Sequence, residues 1–207
     1  MSVHSLSPLL LVVSAASGAG KTTLCQALLE ADPRFSRAVT CTTRLPRPGE
    51  RPGVDYHFLG TDDFQHRLAQ GEFLEHATVH GALYGTLRSE VVDRLRRGTD
   101  VLLNIDVQGA ASVRAAGERD TELGRALVSV FLVAPSRAEL ERRLRHRGQD
   151  PEEVIQRRLA AAAAETARWR EFDYVIITDT VPDALRRLRS IIEAERLRTT
   201  RLDVAPD

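Results

Sequence analysis

Residues 15 to 22, Ala15-Ala16-Ser17-Gly18-Ala19-Gly20-Lys21-Thr22, hold the strongest chemical signal in the sequence. Glycines at 18 and 20 let the backbone bend so that successive N–H groups point at one anion. A helix starting at Lys21 would add a partial positive charge at its N-terminus. Lys21 can then reach the β- and γ-phosphates of a nucleotide, Thr22 can offer a hydroxyl to Mg²⁺, and Thr23 continues the turn. One position departs from the general phosphate-loop pattern: Ala15 replaces its first glycine, which a methyl group allows only at negative φ. Lysine usage strengthens the reading, because of 29 Lys+Arg residues Lys21 is the one lysine. Arginine serves wherever surface charge suffices; a compact ammonium on a flexible stem remains only in this slot.

A second constellation is Arg44-Leu45-Pro46-Arg47-Pro48-Gly49. It sets two guanidiniums on a proline-stiffened, non-helical segment, suited to gripping one anionic group bidentately. Tyr56 and Tyr84 can add hydroxyl donors. A third is charge-dense, with Arg137, Arg142, Arg143, Arg145, Arg147, Arg157 and Arg158 between Ser136 and Arg168. Arg143 and Arg147 are one helical turn apart. Cys25 and Cys41 form no CxxC pair and read as packing residues in a reducing compartment. Six histidines, among them His76 and His80, lack a metal-ligand partner set.

The elements that must position these residues alternate strand and helix. Short apolar runs at Pro8 to Val13, Val101 to Ile105, Leu127 to Val133 and Tyr174 to Ile177 read as buried strands. Helices are expected at Lys21 to Glu30, closed by Asp32-Pro33, and around Ala110 to Ala116. Strand, crossover and strand imply an α/β fold with a parallel, three-layer core spanning 1–35, 86–135 and 169–207. Segment 36–85 breaks the alternation with Thr/Val patterning, turn residues and aromatics, and reads as a small mixed α+β subdomain with a helix at Asp62 to Gln70. Segment 136–168 reads as a helical hairpin with capping signatures at Ser136-x-x-Glu139 and Asp150-Pro151-x-Glu153 and a stop at Gly148. Its Ala160 to Ala164 run is helix-favouring composition. A C-terminal helix from Pro182 to Arg198 presents Leu185, Leu188, Ile191 and Ile192 inward, with Glu195 as its polar exit and its arginines in solvent. The tail from Thr199 is expected to fray.

The 207 residues, 43% hydrophobic and 28% charged, suit one domain with a real core. The formal net charge of +0 excludes the global basic field of a general nucleic-acid or anionic-membrane binder, so any anion site is local. Leu9 to Val13 followed by Ser14-Ala15-Ala16 imitates a secretion signal. The preceding Met1 to Ser7 has no Lys or Arg, however, and the run leads straight into the glycine loop. No stretch approaches the roughly 20 apolar residues of a membrane helix. A soluble, cytoplasmic protein is expected, its oligomeric state open.

Taken in order, Ser14 to Leu24, Thr42-Thr43-Arg44 with Pro46 to Glu50, Asp55-Tyr56-His57-Phe58, Glu72 to Ala77, Tyr84-Gly85-Thr86, Ile105 to Gly109, and Arg143 to Arg158 resemble guanylate kinase, a P-loop nucleoside-monophosphate kinase family. The resemblance covers nearly the whole chain. It implies a P-loop core with an acceptor-binding subdomain at 36–85 and a lid at 136–168. It also implies Mg²⁺-dependent transfer of the γ-phosphoryl of ATP to GMP or dGMP, giving ADP and GDP, in purine nucleotide metabolism. Ala15, Ala16, Ser17, Gly18, Ala19, Gly20, Lys21, Thr22, Thr23, Arg147 and Thr178 would hold ATP. Thr22 would ligate Mg²⁺, with Asp106 assisting through water. Arg44, Arg47, Tyr56 and Tyr84 would hold the GMP phosphate, Glu75, Thr40 and Thr86 the guanine, and Asp106 would complete that site. Lys21, Arg44, Arg143, Arg147 and Arg158 would carry the catalytic charge.

The chemistry of guanine fits this set: N1–H and N2–H₂ are adjacent donors that one carboxylate can accept together, and O6 accepts from hydroxyls. Adenine offers neither pattern. Three positions depart from the family's habit: Asn104 stands two residues before Asp106 where an acid is frequent, Thr178 stands where Asn is usual, and Thr40 where Ser is common. Two alternatives use the same segments differently. A non-catalytic scaffold of this fold needs no intact phosphate loop, and a P-loop kinase of a phosphorylated sugar has no use for Glu75 with Thr40 and Thr86.

Overall fold

A computed structural model describes residues 5–79, 81–146 and 151–203. In chain order the elements are β1 (Ser5–Leu6), β2 (Leu10–Ala15), α1 (Lys21–Ala31), β3 (Phe35–Arg37), β4 (Cys41–Thr42), β5 (His57–Phe58), α2 (Thr61–Ala69), β6 (Phe73–Val79) and β7 (Ala82–Leu87). They continue with α3 (Arg88–Arg96), β8 (Asp100–Asn104), α4 (Val107–Arg119), α5 (Thr121–Ala126), β9 (Leu127–Val133), α6 (Arg137–His146), α7 (Glu152–Thr166), β10 (Tyr174–Ile177), α8 (Val181–Arg196) and β11 (Leu202–Asp203).

Five strands form a wholly parallel sheet in the order β10-β9-β2-β8-β3. The central β2 explains the arrangement: Leu10 to Val13 are at most 1% exposed, so both faces of the strand are covered, as a parallel sheet between helical layers requires. Each such leucine or valine contributes about 1.5–3 kcal/mol by leaving water. Helices α1 and α8 pack together on one face, and α4 packs with α5 against β2 and β9. The expected strands are all present, displaced by at most two residues.

The mixed sheet, order β5-β4-β7-β6, is built by the segment that broke the alternation, and it rests on α4 through β6. Helix α2 closes it, with Phe64 stacked on Phe73 at 4.3 Å between ring centroids. Its last strand runs on to Leu87, and β3 before it joins the parallel sheet. The arginine-rich segment is a hairpin of α6 and α7, the first capped by Ser136, whose hydroxyl accepts from Glu139 N at 3.1 Å. Arg147, Gly148 and Asp150 lie outside the described residues.

The C-terminal helix corrects one expectation. Glu195 is 2% exposed rather than a solvent exit, and Arg196 and Arg201 are each 4% exposed. Glu195 accepts from Tyr174 OH at 2.6 Å and from Arg201 Nη2 at 3.1 Å, while Arg201 also donates to the carbonyls of Arg125 and Leu127. Arg196 pairs with Asp100, whose other oxygen accepts from Leu9 N at 2.8 Å. The inward spacing of Glu195 was visible. Its counter-charge comes from beyond the helix end, and a paired charge can be buried where a lone one cannot.

Candidate active site

Of the expected site residues, Ala15, Asp106 and Thr178 lie at or just beyond the carboxyl ends of the parallel strands β2, β8 and β10, where open α/β sheets bind ligands, and Glu75, Tyr84 and Thr86 lie on the mixed sheet. After β2 the chain turns through residues 16–20 into α1. Gly18 and Gly20 have φ of +89° and +92°, in the left-handed region. Gly18 is doubly constrained, because a Cβ there would lie 2.9 Å from Leu144 Cδ2 and 3.0 Å from Leu140 Cδ1. Ala15 resolves the departure from the general pattern: it is the last residue of β2, in extended backbone, with its methyl in the core. Gly20 caps α1 without a side chain and the first turn of the helix holds no acid, so the N-terminus of α1 has no carboxylate cap of its own. Among the loop N–H groups, Ala16 N donates to Leu132 O, Ala19 N to Ala16 O and Ser17 N to Glu165 Oε2.

Lys21 Nζ donates to Ile105 O at 2.6 Å, which stretches the side chain from the loop to the end of β8. Burial lowers its pKa, while Cys25, Asp106, Glu165 and Glu75 act in the opposite sense. Asp106 caps α4, its Oδ1 accepting from Gly109 N at 2.8 Å. Lys21 and Asp106 line a cleft of about 220 Å³ together with Thr40, Tyr56, Glu75, Ala77, Val79, Tyr84, Asn104 and Ile105. A larger hollow of about 400 Å³, between Ser7, Leu95 and Arg125, has no comparable convergence of expected site residues. Chemistry, not size, identifies the site.

Glu75 sits on β6 at 5% exposure, and its Oε1 accepts from Thr86 Oγ1 on the neighbouring β7 at 2.6 Å. Burial raises the Glu75 pKa, and the Thr86 hydroxyl opposes that rise. Gly109 gives the carboxylate its room, since a Cβ there would stand 2.9 Å from Glu75 Oε2. Thr40 and Glu75 thus line one cleft with Lys21, and Thr86 is bound directly to Glu75.

Arg44 is held from several sides. Glu50 grips it bidentately at 2.6 and 2.7 Å, Nε donates to Tyr84 OH at 3.1 Å, Nη1 donates to Leu45 O, and the guanidinium lies 4.8 Å from the Tyr56 ring centroid. Glu50 also accepts from Arg47 N at 2.8 Å, and Arg44 holds its carboxyl down to about 2. Arg47 is exposed. The sequence alone assigns Glu50 no role, although it closes the Pro46 to Glu50 stretch that carries part of the resemblance.

On the far side, Arg143 donates to Thr178 Oγ1 at 3.1 Å and Thr178 O at 2.7 Å, and its Nε pairs with Glu139. Thr178, 6% exposed, makes close contacts from the same hydroxyl to Ala19 O at 2.9 Å and Val133 O at 3.0 Å. That hydroxyl is committed to the loop and to Arg143. Thr178→Val keeps the side-chain shape and orphans these partners. A loss of about 1–3 kcal/mol is expected, read as a lower Tm at about 2–4 °C per kcal/mol for a chain of this size. Thr178→Ser should restore most of it. Arg158, partly buried on α7, and Thr22 and Thr23, exposed on α1, complete the expected set among the described residues.

Comparison with known proteins points the same way. The family model described as Guanylate kinase matches residues 7–195. A guanylate kinase of Alkalilimnicola ehrlichii is 50% identical over 192 residues, covering 93% of this chain and 91% of that protein. A guanylate kinase of Escherichia coli (strain K12) is 47% identical over 194 residues, covering 93% and 90%. Among solved structures, the guanylate kinase of Anaplasma phagocytophilum superposes with a TM-score of 0.74 at 31% identity, covering 96% of this chain and 90% of that one. With a phosphate loop, a buried carboxylate–hydroxyl pair and an arginine–tyrosine cluster around one cleft, and with these likenesses along almost its full length, the chain belongs to the guanylate kinase family of phosphotransferases.

Proposed function

We propose that this protein transfers the γ-phosphoryl of ATP to GMP or dGMP, releasing ADP and the nucleoside diphosphate. The observation that carries the reading is the meeting of Lys21 with Glu75 in one cleft, a phosphate-directed cation beside an acceptor for adjacent N–H donors. The loop from Ala15 to Thr23 takes the donor phosphates, and the hairpin of α6 and α7, with Arg143, Arg147 and Arg158, acts as the lid over them. Segment 36–85 is the acceptor subdomain. Arg44, Arg47, Tyr56 and Tyr84 hold the acceptor phosphate, and Thr40, Glu75, Thr86 and Asp106 hold the base.

An oxygen of the GMP phosphate attacks the γ-phosphorus as the bond to the ADP bridging oxygen breaks. That oxygen is already anionic, so no side chain has to remove a proton. Lys21 and the lid arginines neutralise charge developing on the transferred group, and subdomain closure aligns the two substrates and excludes water. Mg²⁺ fits the residues present. Thr22 offers an exposed hydroxyl beside Lys21, and no cluster of three His, Cys, Asp or Glu among the described residues would form a protein-only cage. That suits an ion held mainly by phosphate oxygens and water, with Asp106 assisting through water. When bound it supplies further neutralisation of phosphate charge.

No helix among the described residues is long and apolar enough to cross a membrane, and we place the reaction in the cytoplasm. The test is ADP release with ATP and Mg²⁺ against GMP, dGMP, AMP, CMP, UMP and ribose 1,5-bisphosphate. Turnover restricted to the guanine nucleotides is expected. Turnover with the sugar phosphate alone would overturn the acceptor assignment, and binding of ATP and GMP without turnover would make the protein a scaffold.

A further inference from the structure

Helix α7 reaches the phosphate loop with a carboxylate. Glu165, one residue before the end of α7 and half-buried, accepts from the backbone N–H of Ser17 at 2.8 Å, across 148 positions of sequence. The neighbouring loop residues are held by the same hairpin. Leu140 and Leu144 of α6 pack against Gly18, where a Cβ would lie 2.9 Å from Leu144 Cδ2 and 3.0 Å from Leu140 Cδ1, and Arg143 of α6 binds Thr178, whose hydroxyl sits against Ala19 O. Ser17 and Gly18 therefore touch the hairpin directly, and Ala19 is linked to it through Thr178.

A carboxylate beside a loop built for phosphate raises the free energy of an incoming anion. An ordinary surface acid gains nothing from that position. The Ser17 bond is what this one supplies, fixing the direction of the loop where it leaves β2. Resting on the reading that this loop binds the donor nucleotide, we propose that Glu165 is a positioning residue. Through its bond to the Ser17 N–H it keeps the phosphate loop in its binding shape and ties that shape to the hairpin that closes over it.

The test measures binding of Mg-ADP by calorimetry, with KM for ATP and for GMP, in Glu165→Ala, Glu165→Asp and Glu165→Gln. Loss of one such bond predicts about a tenfold rise in the ADP Kd and the ATP KM for Glu165→Ala. The GMP KM should stay within about twofold. Glu165→Gln, whose amide oxygen accepts the same N–H, should recover to within about threefold of the native protein. Glu165→Asp, one methylene too short, should resemble Glu165→Ala and decides the matter if the alanine variant fails to fold. Unchanged or tighter ADP binding in Glu165→Ala and Glu165→Asp would overturn the proposal, leaving the carboxylate a competitor of phosphate. A glutamine variant as weak as alanine would overturn it too, because charge and not acceptance would then be the requirement. If the native protein binds ADP but does not phosphorylate GMP, the proposed activity fails while the ADP measurements still decide the role of Glu165.

Discussion

Lys21→Met should lower kcat by about 10²–10³, the cost of removing one preorganised electrostatic group from a transition state, while leaving the KM for GMP within about twofold. Methionine keeps the length and apolar stem of lysine and removes only the ammonium. No other lysine exists in the chain to substitute for it. An arginine is not an equivalent replacement, because its planar, forked guanidinium does not reproduce the compact ammonium that donates to Ile105 O. The Tm should not fall, since the ammonium is desolvated and burial disfavours its charge. Single-turnover measurements and a melting curve together check this. Equal losses in turnover and in GMP affinity would remove Lys21 from the donor side.

The second large effect is expected at Glu75. Glu75→Gln presents an N–H₂ where guanine also presents donors, and kcat/KM for GMP should fall by on the order of 10² while that for AMP barely moves. The pH dependence has a defined sign. In the proposed role Glu75 accepts from guanine as the carboxylate, so kcat/KM for GMP should decline as pH falls through its raised pKa, and the glutamine variant should lose that limb. Stability runs the other way. The folded protein holds the Glu75 proton more tightly than the unfolded chain, so this group's contribution is fully present below the unfolded value of about 4.5 and is lost as pH rises through the folded one. At pH 7 Glu75→Gln should therefore melt higher than the native protein when no nucleotide is present. The gain should vanish near pH 4 and reverse when GMP is added. A lower Tm at pH 7 without nucleotide would show that the Thr86 bond outweighs desolvation.

How much of this was legible in the sequence follows the range of the interactions. The glycine loop and the helix it opens were readable because their signal lies in consecutive residues, and β2, β8 and β9 because burial on both faces leaves uninterrupted apolar runs. Strand β10 has an equally apolar run although Val175 and Ile177 are exposed at the sheet edge. Helix α3 was not: of its nine residues only Val91, Val92 and Leu95 face inward, so its pattern dissolves among charges. Strand β3 is three residues long and exists through its pairing with β8. The same limit governs the site. Glu75 could be singled out once guanine chemistry was in view. Glu165 sat beside an alanine run that required only helix, and its partner is 148 residues away. Thr178 could be noticed only as an unusual residue; its bonds to Ala19 and Arg143 belong to the folded chain. Arg196 and Glu195 were misjudged for the same reason, as their counter-charges come from β8 and from beyond the helix.

The near-absence of lysine has a consequence for covalent damage. Acyl phosphates, thioesters and sugar aldehydes modify proteins chiefly at uncharged ε-amines exposed to solvent, and they leave guanidinium groups largely alone. This chain offers them one ε-amine, and the fold draws it in between the phosphate loop and the end of β8. Apart from the α-amine, acylating reagents should therefore find one amine in the chain, and inactivation should follow a single event at Lys21. Bound nucleotide would shield that event.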